Sequence, residues 1–305
     1  MLPSRSRRRW IRLRFLGALC CLAAFAPGLT AEIRLDQPDG SVLTLQAPAQ
    51  SLISLSPHLT ELIFAAGAGD RLIATVEFSE FPDAAIGIPR VGDAFRLDIE
   101  RIVALHADLV IAWDSGNPQP AVSQLQSLGV PVWSVEIREP AEIADTLQTI
   151  GTAVGQVETA RGEADKIRER LVNLSHRYQG AEILDYFYQV DARPLFTING
   201  DHLISKGLDL CGGRNVFGNE PGLAFQVSLE AVIVSNPDAL FAPQLEGAND
   251  PLAGWRQWPG MRAVQRDALF LLPADPISRA TPRFLDSLEL ACKLMHRLRE
   301  RGKNG

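Results

Sequence analysis

The sequence predicts an α/β protein of two parallel-sheet lobes joined by a single long backbone helix. Strand and helix patterns alternate in both halves of the chain, and a helical pattern runs alone from about residue 156 to 178 between them. Alternating strands and helices indicate a parallel sheet with helices on its faces. Because 305 residues exceed the usual size of one core, we predict an N-terminal lobe over 32–150, a bridge over 151–180 and a C-terminal lobe over 181–305.

The first 31 residues have the pattern of an export signal. Six arginines with no acidic residue precede an apolar stretch from Phe15 to Phe25, and Leu29-Thr30-Ala31 offers a small-residue cleavage site. The apolar stretch is too short to span a bilayer as a helix. We predict a signal cleaved near Ala31, with an uncleaved anchor as the alternative. The run from Ser6 to Ile11 also resembles a twin-arginine motif, so the export route stays open.

The charge balance excludes some classes of partner. The 30 basic and 36 acidic residues give a formal net charge of −6 at pH 7. Loss of the six signal arginines would leave 24 basic residues and a formal net charge of −12. Nucleic acids and anionic lipids carry the same sign of charge, so we expect neither as a partner. Neutral molecules and basic protein surfaces fit better, and we expect the protein to be a monomer.

Cys211 and Cys292 are the cysteines that follow the predicted signal. Two otherwise isolated cysteines in an oxidising compartment are a natural pair. We predict a disulfide that closes a loop of about 80 residues within the C-terminal lobe and stabilises it by ~4 kcal/mol in the chain-entropy model. Two buried free thiols are the alternative.

The N-terminal lobe begins with a predicted hairpin around Pro38-Asp39-Gly40, because residues 32–48 alternate apolar and polar side chains. An apolar strand follows, then a helix with Ser56 as N-cap and Pro57 at its first position, ended by Gly67 or Gly69. The remaining pattern predicts another strand, a helix from Glu100 to Leu105, a strand from Leu109 to Trp113, a helix from Pro118 to Leu128, the strand VPVWSV and a helix from Ile143 to Val154.

The bridge is predicted from a stripe of apolar side chains at helical spacing: Ala160, Ala164, Ile167, Leu171, Leu174 and Tyr178. The C-terminal lobe then shows the strand ILDYFYQV, a helix ending at Cys211 before two glycines, a helix from Leu229 to Val234, the strands DALFAP and DALFLLP, and a helix from Leu285 to Leu298. A lone helix between two lobes predicts a stiff bridge and a largely preformed cleft.

One segment of the N-terminal lobe is repeated in the C-terminal lobe. IERIVALHADLVIAW begins at Ile99, and LEAVIVSNPDALFAP begins at Leu229. The alignment pairs Glu100 with Glu230 and Asp108 with Asp238. We interpret the two lobes as related halves facing each other across a cleft. Convergence on a generic helix-loop-strand pattern is the alternative.

The sequence offers little for catalysis or for binding a free metal ion. It has no G-x-S-x-G elbow and no glycine-rich nucleotide fingerprint after a strand, so we predict that the protein is not an enzyme. Its five histidines are scattered without paired spacing, which does not favour a metal-ion carrier.

Several segments, taken in order, resemble one protein family. They are LISLSPHLTELIFAAGAGDRLIATVEFSEFP, LDIERIVALHADLVIAW, GLDLCGGRNVF, QVSLEAVIVSNPDALFAP and RATPR. The chain resembles the class III periplasmic solute-binding proteins, which have a helical backbone and serve ATP-driven importers of cobalamin, ferric siderophores and haem. The cobalamin-binding members are the nearest match, and the resemblance covers about residues 33–298.

The resemblance implies a function for the two repeated glutamates. Family members carry an acidic residue on each lobe that pairs with arginines of an inner-membrane permease dimer, and Glu100 and Glu230 stand at those places. Such charges steer docking more than they add affinity. The alternative is that both glutamates merely favour the N-terminal ends of their helices.

The resemblance also implies a cobalamin or related corrinoid as the transported ligand, with no resident cofactor. Aromatic side chains would pack on the flat ligand, and the implied ligand-binding residues are Pro57, Phe78, Phe95, Trp113, Phe225 and Asp275. A ferric siderophore would favour cleft arginines, for which Arg90, Arg96, Arg193, Arg279 and Arg283 are candidates. Haem would favour a tyrosine or histidine, for which His58 is a candidate.

Overall fold

The computed structural model describes residues 32–303. The predicted export signal and its cleavage site near Ala31 lie outside the described residues. None of the helices between residues 32 and 303 is long and apolar enough to cross a membrane.

The first lobe is built on a four-stranded parallel sheet in the order β4-β3-β5-β6. An antiparallel hairpin of β1 and β2 precedes it, as the sequence predicts. The elements are β1 (Ile33–Asp36), β2 (Val42–Leu45), β3 (Leu52–Ser54), α1 (Pro57–Ala65), β4 (Leu72–Ala74), α2 (Ile99–Ala104), β5 (Leu109–Trp113), α3 (Gln119–Ser127), β6 (Val132–Val135) and α4 (Pro140–Ala153).

The bridge is one helix, α5 (Val157–Tyr178), and the second lobe follows it. That lobe contains a second parallel sheet in the order β10-β7-β12-β13 and a small antiparallel sheet in the order β11-β9-β8. The elements are β7 (Leu184–Tyr188), β8 (Asp191–Ala192), β9 (Leu195–Ile198), α6 (Leu203–Asp209), β10 (Gly213–Asn215), β11 (Ala224–Gln226), α7 (Leu229–Ser235), β12 (Ala239–Gln244), α8 (Arg262–Gln265), β13 (Leu269–Pro273), α9 (Ala274–Ile277) and α10 (Phe284–Lys303).

The predicted fold class is therefore confirmed: two parallel-sheet lobes are joined by one long helix. The central strands are buried on both faces, which explains why β5 has an uninterrupted apolar sequence. The small antiparallel sheet and β10 were not predicted, because their strands are two to four residues long and carry no clear alternation. The lobe boundaries at residues 150 and 181 stay a prediction.

The start of α1 differs from its prediction. Ser56 stands at the N-cap and Pro57 at the first helical position, but the Ser56 side chain makes no capping hydrogen bond. Its hydroxyl instead lies 2.5 Å from His58 Nδ1. Of the two glycines proposed to end the helix, Gly67 does so, because it directly follows the last residues of α1 and has a φ of +79°.

The bridge helix is in contact with both lobes. Its apolar stripe joins one core cluster that runs from α1 and α4 through α5 to α10. Ala160 packs so closely on Gly151 of α4 that a side chain at Gly151 would collide with it. The bridge helix contacts the second lobe through Arg170, which forms ion pairs with Asp286 at 2.7 Å and Glu289 at 2.9 Å on α10.

The repeated segments have the same local structure. Asp98 caps α2 and Ser228 caps α7, each through its side chain. His106 and Asn236 occupy equivalent positions after these helices, and both are left-handed, with φ of 47° and 45°.

The aligned aspartates also make equivalent contacts. Asp108 accepts hydrogen bonds from the backbone at the start of β3, and Asp238 accepts one from the backbone at the start of β7. Each aspartate thus links the start of the strand that follows it, β5 or β12, to the start of a neighbouring strand, β3 or β7.

The predicted disulfide is confirmed. Cys211, just after α6, is bonded to Cys292 of α10, with their Cα atoms 5.3 Å apart. Both cysteines are fully buried, so the bond lies inside the second lobe.

Candidate functional site

A cavity of about 440 Å³ lies between the two lobes and opens to solvent. One wall is formed by the carboxyl ends of β3 and β5, and the other by the start of α6 and the segment around α9. Parallel α/β sheets place ligand sites at the carboxyl ends of their strands. The lining residues that carry the chemistry are Pro57, His58, Trp113, His202, Asp275 and Arg279.

Trp113, the last residue of β5, is fixed by its neighbours. Its backbone N–H donates to Asn117 Oδ1 at 2.7 Å, and Asn117 Nδ2 donates to the carbonyls of Leu55 at 2.9 Å and Ala94 at 3.0 Å. The indole packs directly over Gly116, where any side chain would collide with it. Asn117 therefore holds together the strand ends and the loop from which the first wall is built.

His58, on the first turn of α1, is neutral at physiological pH. Burial, together with the charge of Arg279, lowers the pKa of His58 to about 3. The edge of its ring meets the Trp113 ring, with the two ring centres 5.3 Å apart. The first wall thus presents an uncharged imidazole beside an indole.

His202 occupies a comparable place on the second wall, at the N-cap of α6. Its Nδ1 accepts a hydrogen bond from the Ile204 backbone N–H at 3.2 Å. Burial lowers the pKa of His202 to about 4, so this ring is also neutral. A protonated ring would place an N–H against the Ile204 N–H and would lose the cap.

A cluster of charged side chains joins the two lobes at the edge of the cavity. Glu61 of α1 accepts from Arg279 Nη1 at 2.9 Å, from Arg283 Nε at 2.9 Å and from Arg283 Nη2 at 2.5 Å. Asp275 pairs with the same two arginines at 2.5 and 2.7 Å. The Glu61 side chain is only 2% exposed, so its charge depends on these partners from the other lobe.

Phe78 is held in an unusual conformation by the same cluster. Its φ is 65°, which is uncommon for a bulky residue, and its carbonyl accepts from Arg279 Nη2 at 3.0 Å. The next residue, Ser79, accepts from Arg90 through its carbonyl and contacts the buried hydroxyl of Thr75. Phe78 is 69% exposed.

The structure brings only half of the predicted ligand-binding residues to the cavity. Pro57, Trp113 and Asp275 line it. Phe78 and Phe95 lie on the surface, with Phe95 75% exposed.

Phe225, also predicted to bind ligand, lies on β11, where its ring packs against Phe217 at 6.3 Å. It is not among the residues that line the cavity. The six assignments stay predictions.

The candidate siderophore arginines have other partners. Arg279 and Arg283 pair with carboxylates, and Arg90 donates to the carbonyls of Ser79, Ala85 and Ile88. These three arginines are therefore already engaged by the protein.

Glu100 and Glu230 occupy matching exposed positions. Each is the second residue of its helix, α2 or α7, and neither has an ion-pair partner between residues 32 and 303. An unpaired carboxylate is thus available on each lobe.

Three important residues were missed by the sequence analysis: Glu61, Asn117 and His202. For Glu61 a signal existed, because a lone acid inside the apolar run of α1 is usually buried with a partner. Asn117 and His202 lie in loops, and only the tertiary structure shows their contacts. Within the described part of the chain, no three His, Cys, Asp or Glu side chains are grouped to hold a metal ion.

Two sheet lobes, a single bridging helix and a cavity between the lobes define a ligand-binding protein of the helical-backbone class. The family model described as periplasmic binding protein matches residues 52–276. The chain belongs to this periplasmic binding protein family. The prediction of binding rather than catalysis is confirmed by the family.

Several relatives that match over most of the chain are vitamin B12-binding proteins. The chain is 36% identical over 253 residues to the vitamin B12-binding protein of Vibrio cholerae serotype O1, covering 83% of this chain and 91% of the relative. It is 34% identical over 256 residues to the vitamin B12-binding protein of Yersinia pestis, covering 84% and 90%.

Solved structures agree with the fold. The crystal structure of the periplasmic vitamin B12 binding protein BtuF of Vibrio cholerae matches with a TM-score of 0.77 and 35% identity, over 83% of this chain and 98% of that one. The periplasmic haem-binding protein HutB of Vibrio cholerae matches with a TM-score of 0.69 and 20% identity, over 81% and 98%. The second likeness shows the fold alone.

Replacing Glu61 by glutamine should destabilise the protein by about 3 kcal/mol, because two largely buried arginines lose a charged partner and retain only Asp275. Urea unfolding measures the change. Glu163→Gln is the matched control, since Glu163 forms an exposed pair with Lys166 and should change stability by less than about 0.5 kcal/mol. Equal effects of the two variants would contradict a structural role for the cluster.

Stability should fall in mild acid because of His202. Its pKa of about 4 in the folded protein lies below the usual 6.5, so the unfolded chain binds the proton more readily. The stabilising contribution of the neutral ring is complete above pH 6.5 and is lost as the pH falls toward 4. The loss of stability is about 2 kcal/mol near pH 5. Urea unfolding at several pH values in this range measures the free energy of unfolding, and its slope against pH should be shallower for His202→Gln. The exposed His176→Gln should leave the slope unchanged, and an unchanged slope in both variants would refute the assignment.

Proposed function

We propose that the protein is the periplasmic substrate-binding component of an ABC importer, that it binds cobalamin, and that it delivers cobalamin to an inner-membrane permease. The observation that carries the proposal is the 36% identity to a vitamin B12-binding protein over 83% of the chain. The predicted export signal, removed near Ala31, supports delivery to the periplasm.

The cavity chemistry supports a large, mostly neutral ligand. Pro57 and Trp113 offer apolar surface on one wall, while Asp275 and Arg279 offer polar groups on the other. A corrinoid is larger than the 440 Å³ cavity, so its edges would extend beyond it, and the exposed Phe78 and Phe95 are the candidates to contact them. Aromatic side chains supply such contact area without requiring charge on the ligand.

A ferric siderophore is less well supported than cobalamin. Negatively charged siderophores need free cationic groups, but Arg279 and Arg283 are neutralised by Glu61 and Asp275. One observation supports haem as the ligand, because the neutral His58 lines the cavity. Haem is therefore the second candidate ligand.

The permease would dock on both lobes at once. Glu100 and Glu230 are exposed, lack ion-pair partners within residues 32–303 and lie on segments with the same local structure. Two related carboxylates suit a permease dimer, whose subunits would each present a cationic group. The protein would act as a monomer, and the ATPases of the importer would drive release.

Titration of the mature protein with cyanocobalamin, monitored by calorimetry, tests the proposed ligand; haem and a ferric siderophore are the competitors. We expect cyanocobalamin to bind at micromolar concentration or below. Trp113→Ala should weaken this binding by about 2 kcal/mol, roughly thirtyfold, because it removes the aromatic surface of the first wall. Trp258→Ala, outside the cavity, is the control and should bind normally. Absence of cyanocobalamin binding to the unaltered protein would rule out the assignment.

Reversing both docking charges should separate transport from binding. The double variant Glu100→Lys, Glu230→Lys should lose uptake in reconstituted importer vesicles, because lysines would face cationic groups of the permease. Its affinity for cyanocobalamin should stay nearly unchanged, since neither residue lines the cavity. The double variant Glu169→Lys, Glu220→Lys changes the same charge at other exposed sites and should transport normally. Normal uptake by the first variant would disprove this docking mode.

A further inference from the structure

The imidazole of His58 has one ring nitrogen that the protein does not use. The residue is only 9% exposed, and Nδ1 lies 2.5 Å from Ser56 Oγ. Nε2 has no hydrogen-bond partner within residues 32–303, yet it is not among the enclosed polar atoms that lack one. Nε2 is therefore accessible, and the cavity that His58 lines is the space available to it.

The contact with Ser56 is compatible with a proton on either ring nitrogen, because a hydroxyl can donate as well as accept. With the proton on Nδ1, Ser56 Oγ accepts from Nδ1–H, and with the proton on Nε2 the Ser56 hydroxyl donates to Nδ1. A neutral imidazole with its proton on Nδ1 has a lone pair on Nε2. This arrangement is typical of a metal-binding histidine, whose second nitrogen donates to a neighbouring oxygen that fixes the ring.

We propose that His58 is an axial ligand of the transported corrinoid, with Nε2 bound to its cobalt. The inference rests on the proposed function, since the metal arrives with the ligand. The exchangeable water on the upper face of an aquacorrinoid leaves as the Co–O bond breaks and the Co–N bond forms. Cobalt keeps its oxidation state, and no proton is transferred because the incoming imidazole is neutral.

His202 shows why only one of the two cavity histidines suits this role. Its Nδ1 accepts the Ile204 N–H, so the proton of the neutral ring must be on Nε2. A protonated Nε2 has no lone pair to give to a metal. Binding through His202 would require the loss of the α6 cap, whereas binding through His58 requires only a proton on Nδ1, which Ser56 Oγ can accept.

The surroundings of His58 hold the ring ready for coordination. Trp113 packs against the ring at right angles, with an angle of 88° between the two planes. Arg279 disfavours the protonated ring through its charge. An orientation fixed before the ligand arrives lowers the entropic cost of forming the bond.

Absorbance spectroscopy of bound corrinoids tests the proposal directly. Aquacobalamin added to the mature protein in slightly acidic buffer should show the band shift that free imidazole produces with the same compound. Cyanocobalamin should bind without a shift, because cyanide is not displaced from cobalt. The unaltered protein should therefore retain aquacobalamin more tightly than cyanocobalamin.

Three variants locate the bond. His58→Gln should abolish both the shift and the preference for aquacobalamin, while its binding of cyanocobalamin shows that the protein is folded. Ser56→Ala should keep the shift but reduce the preference by about tenfold, as expected when the partner of a metal-binding histidine is removed. His176→Gln is the matched control, because His176 is exposed on the bridge helix and does not line the cavity, and it should retain the shift and the preference.

The outcomes distinguish this inference from the proposed function. Binding of both cobalamins with no shift for aquacobalamin, or a shift that survives in His58→Gln, would overturn the assignment of His58 and leave cobalamin transport standing. Failure of both cobalamins to bind would overturn the proposed function and the inference together.

Discussion

The buried carboxylate of Glu61 constrains how the two lobes can be arranged. A charge that is almost fully removed from water requires close partners of opposite charge, and those partners, Arg279 and Arg283, both belong to the other lobe. The first helix of one lobe must therefore face the segment before the last helix of the other. The cavity lies beside this contact, and the conformation of Phe78 depends on it, because Arg279 also holds the Phe78 carbonyl. Lobe arrangement and cleft shape are thus determined by the same few side chains.

The bridge helix supports this arrangement from the far side. Its apolar stripe is continuous with the cores of both lobes, and Arg168 and Arg170 reach helices α4 and α10 in opposite lobes. A hinge between such lobes has to bend a packed helix or slide it over its neighbours, and both cost more than turning about an extended linker. A largely preformed cleft stays a prediction, and these contacts favour it.

Much of the fold could be predicted because its signals are local. The period of the bridge stripe, the unbroken apolar sequence of β5 and the repeated segment each specify an element within about 20 residues. The candidate site could be predicted only in part. Pro57 and Trp113 lie at or near the carboxyl ends of strands. Asn117, Glu61 and His202 instead act through partners 20 to more than 200 residues away or through loop geometry that no periodicity encodes. Ser56 was expected to cap a helix and instead binds a histidine, since two acceptable partners compete for one hydroxyl.

The disulfide has a consequence for how the protein is made. Cys211 and Cys292 are both fully enclosed, and Gly213, two residues after Cys211, is packed so closely that an added Cβ would lie 2.9 Å from Tyr186 and 3.1 Å from Met295. An oxidant can reach the two sulfur atoms only before α6 and α10 pack together. The bond must therefore form while this part of the chain is still folding, and a mature molecule that missed oxidation would have to open its second core to acquire it. Assembly in a reducing compartment would leave the two thiols enclosed and unpaired.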